Sequence, residues 1–354
     1  MVCFDISKEW NILIPEDMPL PKAAEDLSHY INLLREQANI PQAPVVIKNY
    51  YKEQVFDSMA NSIFLYVQKD SWMKNGFSWR FGKDILEING ESERGIYNGV
   101  FNFLSSLGFS WNAPNHEILP TLNKFKPTEY VLNEGYSYHP SSSDTIQRRF
   151  LFSKKEPVKK WKSLILWAVR NQIDILVFPL QIAGFGSKEA QEAVQLAKSY
   201  ALTIELGGWD ISFFVPRHYF LLNREIFRMD AGRRTLKYNF CPTAPETIKL
   251  LRTSASKFFR AHPEITVYHF WPDQGYEKTW CTCPTCRAFT PEEQNRMAVN
   301  AIADVLVEIN PNARISYYEN PPRKSVIEVR SSLFRITCLP GEYGAEAGGW
   351  FISR

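Results

Sequence analysis

Three acidic residues follow runs of strand-forming residues, where a carboxyl group can do chemistry. Asp273 comes after the apolar run 265–271, between Pro272 and Gly275, so it should project from the C-terminal end of a strand. Glu319 ends the run 314–318, and Glu342 follows Pro340-Gly341 after the run 334–339. Cleaving a glycosidic bond needs two carboxyl groups flanking it, or one together with an N-acetyl group of the substrate. The plainer readings are an Asp that caps the next loop and, for Glu342, a turn set by Gly341 and Gly344. Glu319 is better suited to binding a sugar hydroxyl. Glu205 lies inside the run 202–206, where a buried carboxylate requires a partner.

Cysteines and aromatics cluster near the same positions. Cys281, Cys283 and Cys286 form a Cys-x-Cys-x-x-Cys. Three ligands are one short of a closed zinc site, and Cys241, Cys338 or His269 could complete it only if the fold brings one near. A disulfide is the alternative for an exported protein. We read the cluster as reduced thiols shaping the loop after the fourth strand, with no metal and no cofactor. Trp209, Trp271, Trp280, Trp350 and Tyr318 fall near presumed strand ends. Their rings could stack on the C–H faces of a sugar, or simply pack. His218 and His269 are isolated and read as hydrogen-bonded structural histidines.

The elements that must position these groups alternate strand and helix. In the first third, residues 11–14, 45–47 and 63–67 are short apolar or β-branched strands. Residues 23–37 carry apolar side chains at helical spacing. The runs 77–81 and 85–88 flank Gly82-Lys83-Asp84, a hairpin signal. Ile96, Val100, Phe103, Leu104 and Leu107 form one helical stripe, which Gly108 ends. A weakly patterned stretch, 119–131, reads as a linker. Six strands follow at 148–152, 173–180, 202–206, 265–271, 314–318 and 334–339, with helices at 158–170, 187–200, 244–261 and 291–309 between them. This rhythm implies a parallel sheet. We therefore expect an α/β protein: an accessory α/β domain over 1–130 and a TIM (β/α)-barrel over 136–354, with about six of its eight strands visible.

The composition bounds the partners. The chain has 354 residues, 45% hydrophobic and 22% charged, enough for a sizeable core. A net charge of +3 argues against nucleic acid, and no apolar run is long enough to span a bilayer. The first 16 residues include Asp5 and Glu9 and do not read as a signal peptide, so either the chain stays in the cytoplasm or a leader lies outside it. Aromatic residues reach 14%, an excess that fits a glycan partner as well as a Phe- and Tyr-rich core.

Three stretches carry a resemblance. The run Arg94-Gly95-Ile96-Tyr97-Asn98-Gly99-Val100-Phe101, ending in Leu107-Gly108-Phe109-Ser110-Trp111, resembles the last helix of the N-terminal domain in β-hexosaminidase-like and α-glucuronidase-like glycosidases. Trp271-Pro272-Asp273-Gln274-Gly275 with Trp280-Cys281-Thr282-Cys283-Pro284-Thr285-Cys286 is more specific, as is the segment from Ile315-Ser316-Tyr317-Tyr318 through Pro321-Pro322 to Ile336-Thr337-Cys338. Together they resemble the domain of unknown function numbered 4838, which includes glycoside hydrolase family 163, over about residues 10–343. Characterised members of that family are endo-β-N-acetylglucosaminidases acting on N-glycans, and similar proteins are often exported.

The resemblance implies a glycoside hydrolase acting on β-linked N-acetylhexosamine, with Asp273 and Glu342 as its carboxylates. Glu342 would be the acid and Asp273 the carboxylate that orients the acetamide, with Trp271 and Trp280 walling the acid from water. A pair about 5–5.5 Å apart would mean retention, and about 6.5–9.5 Å inversion. Family members carry an aromatic-acidic-aromatic motif beyond the segment matching Cys338, and none follows Gly341. That departure favours the alternative, a non-catalytic glycan-binding protein on the same scaffold.

Overall fold

The structure is a computed structural model that describes residues 2–18, 21–41, 45–50, 60–68, 76–132, 134–139, 147–153, 156–180, 187–209, 211–273, 278–319, 325–336 and 349–352. Glu342 and Cys338 lie outside the described residues. The chain divides into two compact units. One comprises residues 1–147, 157–174 and 187–203; the other comprises 148–156, 175–186 and 204–354.

The first unit is built on a six-stranded sheet. Its strands are β2 (Asn11–Pro15), β3 (Val46–Tyr50), β4 (Ser62–Val67), β5 (Phe77–Gly82), β6 (Ile85–Gly90) and β10 (Tyr136–His139), in the order β10-β5-β6-β4-β2-β3. The β2, β3, β4 and β6 neighbours are parallel, and β5 pairs antiparallel with β6 and β10. The hairpin between β5 and β6 turns on Lys83 and Asp84, both at positive φ (53° and 59°), the handedness that suits a two-residue connection. Outside the sheet, β1 (Val2–Asp5) pairs with β9 (Glu129–Leu132), and β7 (Ser110–Ala113) with β8 (His116–Ile118). The weakly patterned stretch 119–131 thus runs into a paired strand.

Helix α1 (Pro21–Gln37) and helix α2 (Glu93–Ser106) complete the core of this unit. Ser92 caps α2 by accepting a hydrogen bond from the Gly95 N–H at 3.1 Å. The expected stripe is buried, but so are Arg94, Tyr97 and Asn98 on the same helix. Arg94 Nη2 donates to the Ile173 carbonyl at 2.8 Å, Asn98 Nδ2 donates to Asp174 at 3.0 Å, and the Tyr97 hydroxyl donates to the Ser199 carbonyl at 2.9 Å. Helices α3 (Trp161–Arg170) and α4 (Lys188–Ser199) therefore belong to this unit, although strands of the other unit flank them in sequence.

The second unit holds the parallel sheet. Its strands are β11 (Gln147–Leu151), β12 (Ile175–Phe178), β13 (Thr203–Gly208), β16 (Val267–Phe270), β17 (Arg314–Tyr318), β18 (Leu333–Ile336) and β19 (Gly349–Ile352), in the order β18-β17-β16-β13-β12-β11-β19. All six expected strands are present in sequence order, and β19 adds a seventh beside β11. A small ribbon, β14 (Met229–Asp230) with β15 (Arg233–Arg234), and helices α5 (Pro245–Ala261) and α6 (Pro291–Ile309) fill the connections. Thr290 and Glu293 close a full capping box at the start of α6. Leu151, Val177, Trp271, Tyr318 and Ile336, each from or just beyond a different strand, pack into one cluster. The fold is α/β: an N-terminal sheet unit and a curled parallel sheet of the (β/α)-barrel kind.

Candidate active site

Asp273 sits just past β16, where the chain leaves the sheet, and is 5% exposed. The backbone ladder continues beyond the strands: the Trp271 N–H donates to the Gly208 carbonyl at 3.1 Å and the Ile211 N–H to the Trp271 carbonyl at 2.9 Å. This stitching brings the short 3-10 turn Ile211–Phe214 against Asp273. The Ser212 hydroxyl donates to Asp273 Oδ2 at 2.8 Å and the Ser212 N–H reaches Oδ1 at 3.4 Å. Arg217 Nη2 lies 3.3 Å from Oδ2 and also donates to Ser212 Oγ at 2.7 Å and the Tyr238 carbonyl at 2.6 Å. The Asp273 N–H donates to Asn239 Oδ1 at 3.0 Å, and Asn239 Nδ2 donates to Thr279 Oγ1 at 2.8 Å. These partners hold Asp273 as a carboxylate that accepts hydrogen bonds, at the strand end where barrel enzymes keep their chemistry. Nothing local in the sequence marks Ser212, Arg217 or Asn239, since each is an ordinary polar residue 34 to 61 positions away.

The other expected site residues fall into two groups. Trp209 is half-buried and meets Trp271 edge-on, with ring centroids 5.9 Å apart. Trp271 is fully buried, its indole N–H donating to Ser316 Oγ at 3.0 Å. Tyr318 is buried in the same cluster, and Trp280 is buried edge-on to Phe240. A fully buried ring has no face open to a sugar, so Trp209 offers the better stacking surface. Glu319 is buried and paired with Arg296 Nη2 at 2.5 Å.

Beneath these residues runs a buried polar chain. Arg149 Nε and Nη2 donate to the two oxygens of Glu205 at 2.8 and 3.0 Å, which supplies the partner its position requires. Glu205 Oε2 lies 2.7 Å from His269 Nε2, and His269 Nδ1 lies 2.6 Å from Ser316 Oγ. Burial pushes the Glu205 carboxyl up, but His269 and Arg149 outweigh it and hold it below its ordinary value. Burial lowers His269 against the pull of Glu205. A neutral His269 then donates from Nε2 to Glu205 and accepts at Nδ1 from the Ser316 hydroxyl, which in turn accepts from Trp271. Serine, histidine and carboxylate in this order have the connectivity of a nucleophile triad. All three are buried, so the chain braces the sheet rather than meeting a substrate.

The fold brings Cys241 to the Cys-x-Cys-x-x-Cys. The sulfurs of Cys241, Cys281, Cys283 and Cys286 all lie within 4.8 Å of one another, and all four residues are buried. His269, the other described candidate for a fourth ligand, is committed to Glu205 and Ser316.

No family model matches the sequence. No curated protein matches it either. Solved structures do. An exo-β-N-acetylglucosaminidase of glycoside hydrolase family 20 from Vibrio harveyi, in complex with N-acetylglucosamine, superposes with a TM-score of 0.56 at 12% identity, over 94% of this chain and 54% of that one. A chitobiase from Flavobacterium johnsoniae gives 0.59 at 12% identity, over 94% and 52%. A family 20 β-N-acetylhexosaminidase from Streptomyces coelicolor gives 0.58 at 12% identity, over 94% and 65%. The chain spans about half the length of the first two and about two thirds of the third. At this identity the likeness is one of fold.

Proposed function

We propose that this protein is a glycoside hydrolase acting on β-linked N-acetylhexosamine in glycans, with the endo-acting enzymes of glycoside hydrolase family 163 as its nearest functional class. The observation that carries the reading is Asp273: a buried carboxylate at the C-terminal end of a central parallel strand, held as an acceptor by Ser212 and Arg217. The fold shared with β-N-acetylhexosaminidases, one of them bound to N-acetylglucosamine, supports the same substrate class.

The chemistry then follows the substrate-assisted course. The acetamide oxygen of the sugar attacks the anomeric carbon as the bond to the leaving oxygen breaks. Asp273 accepts a hydrogen bond from the acetamide N–H and turns that oxygen toward the carbon. Glu342 gives its proton to the leaving oxygen, then takes one from the water that opens the cyclic intermediate. Trp209 stacks on the sugar ring, with Trp271 and Tyr318 packed behind, and Glu319 with Arg296 orders the end of β17.

The test is turnover of a panel of N-glycans and aryl N-acetyl-β-hexosaminides. The parent should release reducing sugar. Asp273→Asn should cut kcat by roughly 10²- to 10⁴-fold, while circular dichroism still shows a folded protein and the variant still binds glycan. Glycan binding without turnover by the parent would decide for a non-catalytic binding protein. Parental rates in Asp273→Asn would remove Asp273 from the chemistry.

A further inference from the structure

We propose that Cys241, Cys281, Cys283 and Cys286 bind one zinc ion as a closed, four-thiolate structural site, which clamps the two segments that support Asp273. The first argument is metric. A tetrahedral zinc thiolate with bonds of about 2.3 Å sets its sulfurs about 3.8 Å apart. Cys241 Sγ lies 3.8 Å from Cys283 Sγ and 3.6 Å from Cys286 Sγ. Four sulfurs mutually close within 4.8 Å form a ligand shell, whereas two disulfides would be two separate pairs at bonding distance.

The surroundings match thiolates rather than thiols. The Met229 N–H points at Cys281 Sγ (3.2 Å) and the Cys286 N–H at Cys283 Sγ (3.4 Å). Arg234 Nη1 lies 3.7 Å from Cys281 Sγ, and Thr243 Oγ1 lies 3.1 Å from Cys286 Sγ. Such donors offset the charge left when four thiolates share a divalent cation. An all-sulfur set selects a soft or borderline ion and rejects magnesium and calcium. With all four positions taken by protein and no ligand exposed, the ion would hold structure and leave no room for a reacting water.

Its place in the fold says what it would hold. Asn239, two residues before Cys241, accepts from the Asp273 N–H and donates to Thr279, two residues before Cys281. Gln294 of α6 receives the Cys281 N–H at 3.0 Å and donates to the carbonyl of Cys281 at 3.1 Å and to those of Cys286 and Phe289 at 3.3 Å. The metal would therefore join the segment carrying Asn239 to the loop after β16 and fix both against α6. What this does for turnover rests on the role proposed for Asp273; the metal itself does not.

The experiment measures metal and thiols on the whole chain, purified under reducing conditions and dialysed against a weak chelator. About one zinc per chain is expected. The four cysteines should resist a thiol reagent in the native state and react as zinc is released on unfolding. Cobalt exchanged for zinc should give the visible and near-ultraviolet absorption of a tetrahedral thiolate site. Cys3→Ser, outside the cluster, should keep its zinc, and Cys241→Ser should lose it. Should Cys241→Ser fail to fold, the measurements on the parent still decide. Native protein that holds no zinc after reconstitution overturns the proposal. So does a mass short of two hydrogens per cysteine pair, or iron in place of zinc.

Discussion

His269 is the residue whose environment makes the plainest claim about pH. It is buried between Glu205, Arg149 beyond it, and Ser316, and burial holds its pKa below the ordinary 6.5. The unfolded chain takes up a proton near that value while the folded chain does not. The stability this residue confers is thus complete above about pH 6.5 and falls as the pH drops through it. Glu205, held below its ordinary 4.5, acts in the same direction: its contribution is present above that value and is lost as pH falls through the folded pKa. The melting temperature should therefore drop between about pH 7.5 and pH 5.5. His269→Gln should melt lower at neutral pH but lose less over that interval. His262 is also lowered by burial, so the comparison of the two slopes carries the test. Equal slopes in parent and variant would mean His269 does not titrate as argued. The sequence signalled that Glu205 needed a partner, but not that Arg149 and His269 would be it.

At the scale of elements, β13 and β16 approach more closely than side chains allow. Gly207 has φ +134°, and a Cβ there would stand 2.0 Å from the His269 carbonyl oxygen. The two residues are register partners in the parallel ladder, Gly207 opposite His269. Gly207→Ala would force the strands apart and strain the backbone, at an expected cost of more than about 3 kcal/mol. Denaturant unfolding should give a sharply lower midpoint or no folded baseline. A midpoint within error of the parent would mean the strand end is looser than described. The same strand end leads through Trp209 to Ser212, so a folded variant should also lose turnover. These elements were legible because their periodicity is local: the strand runs, the stripe of α2 and the Gly82 hairpin each report a buried face within a few residues.

For the whole molecule, compactness does not follow chain order. The first unit includes α3 and α4, and α2 buries Arg94 and Tyr97 by bonding to Ile173, Asp174 and Ser199. A fragment of residues 1–132 lacks these acceptors and leaves Arg94 without the carbonyls that compensate its burial. It should show no cooperative thermal transition by circular dichroism, whereas the full chain should melt cooperatively. A sharp transition in the fragment would make the α3 and α4 contacts dispensable. No described helix is long and apolar enough to cross a membrane.

The sequence by itself determined the α/β alternation, six strands of the parallel sheet, the stripe of α2 with Gly108 at its end and the position of Asp273 at a strand end. Each depends on neighbours in the chain, through side-chain period, turn residues or caps. The tertiary structure alone decided the rest. It set Ser212, Arg217 and Asn239 around Asp273, closed Arg149, Glu205, His269 and Ser316 into one chain, and chose Cys241 over His269 as the fourth member of the cysteine cluster. These partners lie 34 to 64 residues apart, and the pairing depends on which strand ends the sheet order makes neighbours. A polar residue carries no local mark of a partner that distant, because burial and hydrogen bonding select the pair only after the strands have packed.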